Sequence, residues 1–165
     1  MPELPVANLS REGFAPYGEV VSLEGAQHYP INRGTTERFH DLTRIEVGAE
    51  GGRPLLNVFR AQNAPLPVSL NVMERHLLGS QCFFPLRAAR MLVIVAPPGE
   101  FEENSLRAFL TAPYQGVNYA PGTWHHPLLA LDGGGDFLVV DRGATTVDCE
   151  ELALNDDWII THLPG

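Results

Sequence analysis

The strongest structural signal in the chain is Arg90-Met91-Leu92-Val93-Ile94-Val95-Ala96, an apolar run that ends before Pro97-Pro98-Gly99. A run of this length, rich in β-branched residues and closed by Pro and Gly, is typical of a buried strand. Similar short runs follow one another along the chain at a spacing of about 8–12 residues, which is the pattern of all-β proteins. The sequence therefore predicts an all-β fold, an antiparallel β-barrel or sandwich with few short helices.

The other predicted strands lie on both sides of this run. They are residues 55–61, 68–74, 81–85, 106–110, 128–131 and 136–141, with a strand, a turn and a strand over residues 116–126. The sequence Asp132-Gly133-Gly134-Gly135 predicts a hairpin between the strands that flank it. One short helix is predicted over residues 10–17, with Ser10 as its N-cap.

A single domain is expected for a chain of 165 residues. Residues 1–50 are less patterned than the rest, and we expect them to pack on a barrel formed by residues 51–165. Residues 141–165 are acidic and are interpreted as a solvated return strand or tail.

The charge of the chain excludes several classes of partner. The formal net charge is −9, and all 11 basic residues are Arg. Nucleic acids and anionic membranes both repel a chain of this sign. Two cysteines make no disulfide framework, the N-terminus shows no signal peptide, and the longest apolar run is too short to span a bilayer. We therefore expect a cytoplasmic protein that acts on a small molecule.

The candidate functional residues come from two short segments, Glu74-Arg75-His76 leading to Gln81, and Trp124-His125-His126. Glu74 and His76 are two residues apart, so in a strand their side chains project to the same side. Carboxylate, amide and imidazole groups that converge would suit a divalent transition metal or proton transfer. The alternative is an exposed strand face on which Glu74 pairs with a neighbouring arginine. His125 and His126 point to opposite sides, and the spacing alone does not decide which one is functional.

Four further residues are candidates for substrate binding. Arg60 and Arg142 end apolar strands and could hold a carboxylate through two parallel hydrogen bonds, or could form surface ion pairs. Asn118 and Tyr119 could bind a polar group, or could serve a turn and the core. The sequence contains no nucleotide-binding glycine loop, no nucleophile elbow and no zinc-finger pattern, which removes those classes.

At these residues the chain resembles the cupin superfamily of small β-barrels and jelly rolls. Glu74, His76 and Gln81 have the spacing of the first cupin motif with two substitutions, and Gly122 with His125 matches the second, which favours His125 over His126. Over nearly its whole length the chain is more closely similar to the ureidoglycolate lyase family. The matching blocks include Tyr17-Gly18-Glu19-Val20, Glu37-Arg38-Phe39-His40-Asp41-Leu42, Glu74-Arg75-His76, Leu78-Gly79-Ser80-Gln81, Gln115-Gly116-Val117-Asn118-Tyr119, Trp124-His125-His126-Pro127-Leu128 and Asp141-Arg142-Gly143.

This resemblance implies a homodimeric carbon–nitrogen lyase of allantoin and purine degradation that splits (S)-ureidoglycolate into glyoxylate and urea. It also implies a divalent metal, nickel or manganese with zinc as a third candidate, which Glu74, His76, Gln81 and His125 would hold. The metal would lower the pKa of the substrate hydroxyl; without it, His125 could act as the base. Three alternatives stay open: a hydrolase that releases ammonia and carbon dioxide, another cupin reaction on an oxoacid or sugar, and a non-catalytic binding protein.

Overall fold

The computed structural model describes residues 1–165 and confirms the all-β prediction. Strands hold 49% of the residues and helices 8%. The strands are β1 Val6–Asn8, β2 Gly18–Val21, β3 Gln27–Ile31, β4 Thr36–His40, β5 Arg53–Ala61, β6 Val68–His76, β7 Gln81–Pro85, β8 Met91–Ala96, β9 Arg107–Leu110, β10 Gly116–Tyr119, β11 Trp124–His125, β12 Leu129–Ala130, β13 Gly135–Gly143 and β14 Cys149–Ile160. The α-helix α1 spans Arg11–Phe14, and three short 3-10 turns complete the set.

The strands form two large sheets and one small one. The seven-stranded sheet has the order β1-β9-β8-β11-β6-β14, with β12 beside β8. The five-stranded sheet has the order β2-β10-β7-β13-β5, and β3 pairs only with β4. All strand pairs are antiparallel except β1 with β9. Because most neighbours are far apart in sequence, the fold resembles a jelly roll rather than a meander.

The long apolar run forms β8, and it is buried on both faces. Met91, Val93 and Val95 belong to a cluster that also contains β7, β10 and β13 residues of the other sheet, including Phe83 and Phe137. The alternating residues Leu92, Ile94 and Ala96 belong to a second cluster on the opposite face. Burial on both faces explains why this strand is continuously apolar instead of alternating. The first cluster is therefore the core between the two sheets.

The hairpin predicted at Asp132-Gly133-Gly134-Gly135 is wrong. The turn itself exists, since Asp132, Gly133 and Gly134 have φ angles of 56°, 90° and 81°. The strands on its two sides do not pair, however: β12 pairs with β8 and β13 pairs with β5 and β7. The turn carries the chain from one sheet to the other, which the local sequence does not distinguish from a hairpin.

The two ends of the chain are more ordered than the sequence suggests. The acidic C-terminal region contains β14, a strand of 12 residues that pairs with β6 over residues 149–153 and again over residues 158–160. The N-terminal region adds β1 to one sheet and β2 to the other. Ser10 caps α1 as predicted, accepting a hydrogen bond from the Gly13 amide at 3.0 Å, but the helix is shorter than predicted and ends at Phe14. The helices are all too short to form a membrane-spanning segment.

Candidate active site

The candidate site is built on the inner face of the seven-stranded sheet, at one end of the core. His125 of β11 pairs directly with Glu74 of β6, and its other neighbour is Val95, which faces the core. Because side chains alternate along a strand, Glu74 and His76 share this inner face. One ligand atom from each of Glu74, His76 and His125 lies within 4.8 Å of the others. The structure thus brings together three of the residues predicted from sequence.

Both imidazole rings of this cluster have an Nε2 atom that is buried without a hydrogen-bond partner. His125, only 1% exposed, has its Nδ1 atom 3.1 Å from the carbonyl oxygen of Thr123. A carbonyl only accepts, so Nδ1 carries a hydrogen and donates it, and Nε2 is the ring nitrogen that faces Glu74. That Nε2 lies 3.5 Å from Glu74 Oε1. His76 directs Nδ1 toward Asp148 at 4.0 Å, and its Nε2 is also buried without a hydrogen bond.

Gln81 lies on the facing five-stranded sheet, beside Tyr119. It pairs with Tyr119 across β7 and β10, and the Tyr119 ring stacks on His125 with 4.2 Å between ring centres. Gln81 is buried; its Nε2 donates to Asp141 Oδ2 at 3.2 Å, and its Oε1 has no partner. A buried polar atom without a partner costs about 1–3 kcal/mol. Such atoms on His76, Gln81 and His125, beside a carboxylate, make a donor set that fits a divalent transition metal.

The environment shifts the pKa values of several of these groups. Contact with His125 holds the pKa of Glu74 below its usual range, although burial opposes the shift. Burial, assisted by the charge of His125, lowers the pKa of His76. Burial raises the pKa of Tyr119, so its hydroxyl stays protonated. At neutral pH the cluster therefore contains a carboxylate at Glu74 and a neutral imidazole at His76.

His76 lies on the wall of a cavity of about 300 Å³ that opens beside the cluster. Asp141, Arg142, Asp148 and Cys149 line the same cavity. A space of this volume admits a small polar molecule next to the His76 ring. Asp148 and Cys149 are not predicted at the site from sequence, because they precede or begin β14, whose acidic pattern indicates a solvated region. In the structure Cys149 and Glu151 are the register partners of His76 and Glu74.

The structure separates the two arginines predicted as carboxylate clamps. Arg142 borders the cavity; its guanidinium donates to the carbonyl oxygens of Ala49 and Thr146 and has no carboxylate partner. Arg60 instead forms a two-pronged ion pair with Asp136, with hydrogen bonds of 2.9 and 3.2 Å, and its side chain is 85% exposed. Asp136 lies near the opposite end of β13 from Arg142. The structure therefore does not bring Arg60 to the cavity.

Asn118 also lies away from the histidines, although Tyr119 beside it faces them. Its neighbours Val117 and Tyr119 both belong to the core, so alternation turns Asn118 to the outer face of the five-stranded sheet. There its Nδ2 donates to Thr43 Oγ1 and to the Arg44 carbonyl oxygen, at 2.8 Å each. Asn118 thus anchors a loop. His126 makes a contact from Nδ1 to the Pro127 carbonyl oxygen at 2.8 Å and is not in the ligand cluster.

Comparison with known proteins gives a consistent result over the whole chain. A family model described as ureidoglycolate lyase matches residues 1–161. A ureidoglycolate lyase from Burkholderia cepacia is 56% identical over 165 residues, covering 99% of this chain and 93% of that protein. Relatives of the same name from Burkholderia mallei (strain NCTC 10229) and Chelativorans sp. (strain BNC1) are 49% and 46% identical, covering 98% and 94% of this chain and 95% and 94% of theirs.

Among solved structures, the chain is similar to a dTDP sugar isomerase from Desulfovibrio desulfuricans G20. The two share 13% sequence identity with a TM-score of 0.41, over 83% of this chain and 85% of that one. A likeness this distant supports no conclusion about function.

Proposed function

Because the chain belongs to the ureidoglycolate lyase family, we propose that it is a carbon–nitrogen lyase that cleaves (S)-ureidoglycolate to glyoxylate and urea. The observation that carries the proposal is the cluster of Glu74, His76 and His125, in which both imidazole Nε2 atoms are buried without partners and His76 lines a cavity of substrate size. The resemblance further supports a place in allantoin and purine degradation.

The substrate is a hemiaminal, in which one carbon carries a hydroxyl, a ureido nitrogen and a carboxylate. Cleavage requires that the hydroxyl lose its proton, that the C–O bond become C=O, and that the C–N electron pair leave with the nitrogen. His76 Nε2 has a free lone pair and belongs to a residue on the cavity wall, so it can accept the hydroxyl proton and return it to the departing nitrogen. Atoms and charge then balance, since glyoxylate keeps the carbonyl oxygen and urea receives the proton.

The other residues bind and orient. Glu74, ionised at neutral pH, stabilises positive charge on the neighbouring imidazoles. Arg142 is a cation on the cavity wall without a carboxylate partner, so it attracts the carboxylate of the substrate. Tyr119 packs against His125 and keeps the ring in place. Gln81 presents an unpartnered amide oxygen that can accept from the ureido N–H groups.

Glu74, His76, Gln81 and His125 would also hold a divalent metal, for which nickel, manganese and zinc are the candidates. A bound metal would act as a Lewis acid that polarises an oxygen ligand. The metal and the proton need the same Nε2 atom of His76, so the two roles are alternatives. Where His76 serves as a ligand, Asp148 is the next proton acceptor on the cavity wall.

We also propose that the protein is a cytoplasmic homodimer. Both cysteines are free, which suits a reducing compartment. The edge strand β5 exposes Leu56 by 72% and Val58 by 54%, and a long, exposed apolar edge strand of this kind is a site at which another chain can pair. A second copy of the chain would cover the exposed side chains of β5. Measurement of the molar mass in solution tests whether the protein is a dimer.

The experiment that tests the function is product analysis on the purified protein. Urea with glyoxylate indicates the lyase, whereas ammonia with carbon dioxide indicates a hydrolase, and binding without turnover indicates a non-catalytic protein. The assay is run on metal-stripped protein and again after addition of nickel, manganese or zinc. Activity in the stripped protein supports the metal-free route with His76 as the base, and activity only after reloading supports the route in which His76 is a ligand.

A further inference from the structure

The orientation of the Gln81 amide is decided by a residue outside the ligand cluster. A side-chain amide has a donating NH₂ and an accepting oxygen, and its orientation is determined by its hydrogen-bond partners. Here the partner is the carboxylate of Asp141, which accepts Gln81 Nε2–H at 3.2 Å. Both oxygens of Asp141 accept, one from Gln81 and one from Asn57, so the NH₂ group of Gln81 faces Asp141. The amide oxygen therefore faces the other way, where it is buried and unpartnered.

Asp141 is itself held in place from the opposite side. Its other oxygen accepts Nδ2–H of Asn57 at 3.0 Å, so the carboxylate lies between two amide donors, one on β5 and one on β7. Asp141 forms no salt bridge, and it is half-buried at the cavity wall. Partial burial of a carboxylate without an opposite charge is unfavourable. Its hydrogen bonds compensate part of that cost and serve to orient the two amides.

A similar arrangement is found at His125, whose Nδ1 donates to the Thr123 carbonyl oxygen at 3.1 Å, so that Nε2 faces Glu74. At His76 the nearest acceptor to Nδ1 is Asp148, at 4.0 Å, which is too far for a direct hydrogen bond. Groups that play this part around ligand side chains commonly change metal affinity or activity about 10–100-fold when they are replaced.

We propose that Asp141 is a positioning residue that holds the amide oxygen of Gln81, and not its NH₂ group, toward the Glu74–His76–His125 cluster. Asp141 acts through Gln81 and does not need to touch the substrate. The inference deepens the proposed function and rests on it only for the kinetic readout, because the amide orientation can be measured without substrate.

The test replaces Asp141 by asparagine, which has nearly the same shape but can donate, so that the Gln81 amide can turn over. The matched control is Asp136→Asn on the same strand, since Asp136 contacts exposed Arg60 and lies outside the cavity. In the first measurement, NMR of the metal-free protein follows the two Gln81 amide protons, assigned by their loss in Gln81→Glu. We expect a wide separation of the two shifts in the wild type and in Asp136→Asn, and its collapse in Asp141→Asn.

The second measurement is calorimetric titration with Ni²⁺, with urea-release kcat and KM alongside. We expect Asp141→Asn to weaken Ni²⁺ binding about 10–100-fold and Asp136→Asn to leave it within about twofold. The double variant Gln81→Glu/Asp141→Asn should regain most of the loss, because the introduced amide can donate to a carboxylate at position 81. If Asp141→Asn does not fold, the comparison of Gln81→Glu with the double variant carries the test.

Unchanged amide shifts in Asp141→Asn, or a double variant that binds Ni²⁺ no better than Gln81→Glu, would overturn the inference. A wild-type protein that releases no urea would overturn the proposed function and leave the NMR result standing. The two failures are therefore distinguishable.

Discussion

Replacement of His76 by alanine should remove most urea release while leaving the fold intact. His76 lies at the end of β6, on the wall of the cavity, and its Nε2 atom has no partner inside the protein. The substitution removes the atom that either accepts the substrate proton or binds a metal. No backbone hydrogen bond is lost, because the His76 carbonyl oxygen still accepts from the Gly122 amide.

The expected size of the effect follows from the two roles. A positioned base typically contributes about 10²–10⁴-fold in rate, which corresponds to about 3–5 kcal/mol in the activation barrier. The cost in stability is smaller because the side chain is 23% exposed and leaves a cavity open to solvent. We expect about 1 kcal/mol, or a fall in Tm of about 2–4 °C for a chain of this length. The variant therefore stays folded at assay temperature, and lost activity cannot be ascribed to unfolding.

The assay measures kcat and KM for urea release from (S)-ureidoglycolate, with Tm recorded by calorimetry. His28→Ala is the matched control, because His28 is exposed on the β3–β4 hairpin and contacts Glu37. His76→Gln separates the two roles, since an amide can still bind a metal but cannot carry a proton. Urea release by His76→Ala within about threefold of wild type at saturating substrate would refute the assignment of His76.

Three further changes test other parts of the structure. Glu103 accepts hydrogen bonds from the Asp156 amide at 2.9 Å and Trp158 Nε1 at 3.0 Å, and these bonds lower its pKa. Glu103→Gln should lower the free energy of unfolding at pH 7 by about 1 kcal/mol, measured by chemical denaturation. A carboxyl group whose pKa is lowered by folding stabilises the fold fully above its unfolded-state pKa and loses this effect as the pH falls through its folded-state pKa. The difference from wild type should therefore shrink as the pH falls below about 4. Arg60→Ala should keep kcat/KM within about twofold, since Arg60 lies outside the cavity, and a tenfold loss would contradict the geometry. Ni²⁺ at about 100 times its Kd should raise the Tm of the wild-type protein by about 5–10 °C. The same Ni²⁺ concentration should raise the Tm of His125→Ala by less than about 2 °C. Equal Tm shifts in the two proteins would show that the metal binds elsewhere.

Much of the sheet structure is predictable from sequence, because strand signals are local. The apolar run of β8, the turn residues between strands and the two-residue spacing of Glu74 and His76 all depend on side-chain alternation within one strand. The same rule correctly indicates that only one of His125 and His126 can face inward. The cupin resemblance favours His125, and the structure shows it buried at 1% exposure against Glu74.

The sequence-based prediction is wrong for Asn118 and misses Asp141 and Asp148. Asn118 is predicted with Tyr119 as a substrate ligand, yet alternation within β10 places it on the outer face, where it holds a loop. A signal for this exists in the sequence, since Val117 and Tyr119 are the apolar neighbours. Asp141 is likewise assignable to the inner face from Val139, two residues earlier. Asp148 carries no such signal, because it precedes β14, and the acidic sequence of β14 does not predict a strand that packs on the core.

The period of a single strand is enough to predict the all-β class, most strand positions and the common direction of Glu74 and His76. This alternation does not predict that the Asp132 turn joins two sheets or that β14 lies beside β6. Nor does it predict that Asp148 lines the cavity while Arg60 does not. These features follow only from the folded structure. The physical reason is that pairing between strands depends on the packing of the whole core, and an isolated segment carries no record of which distant strand will become its neighbour.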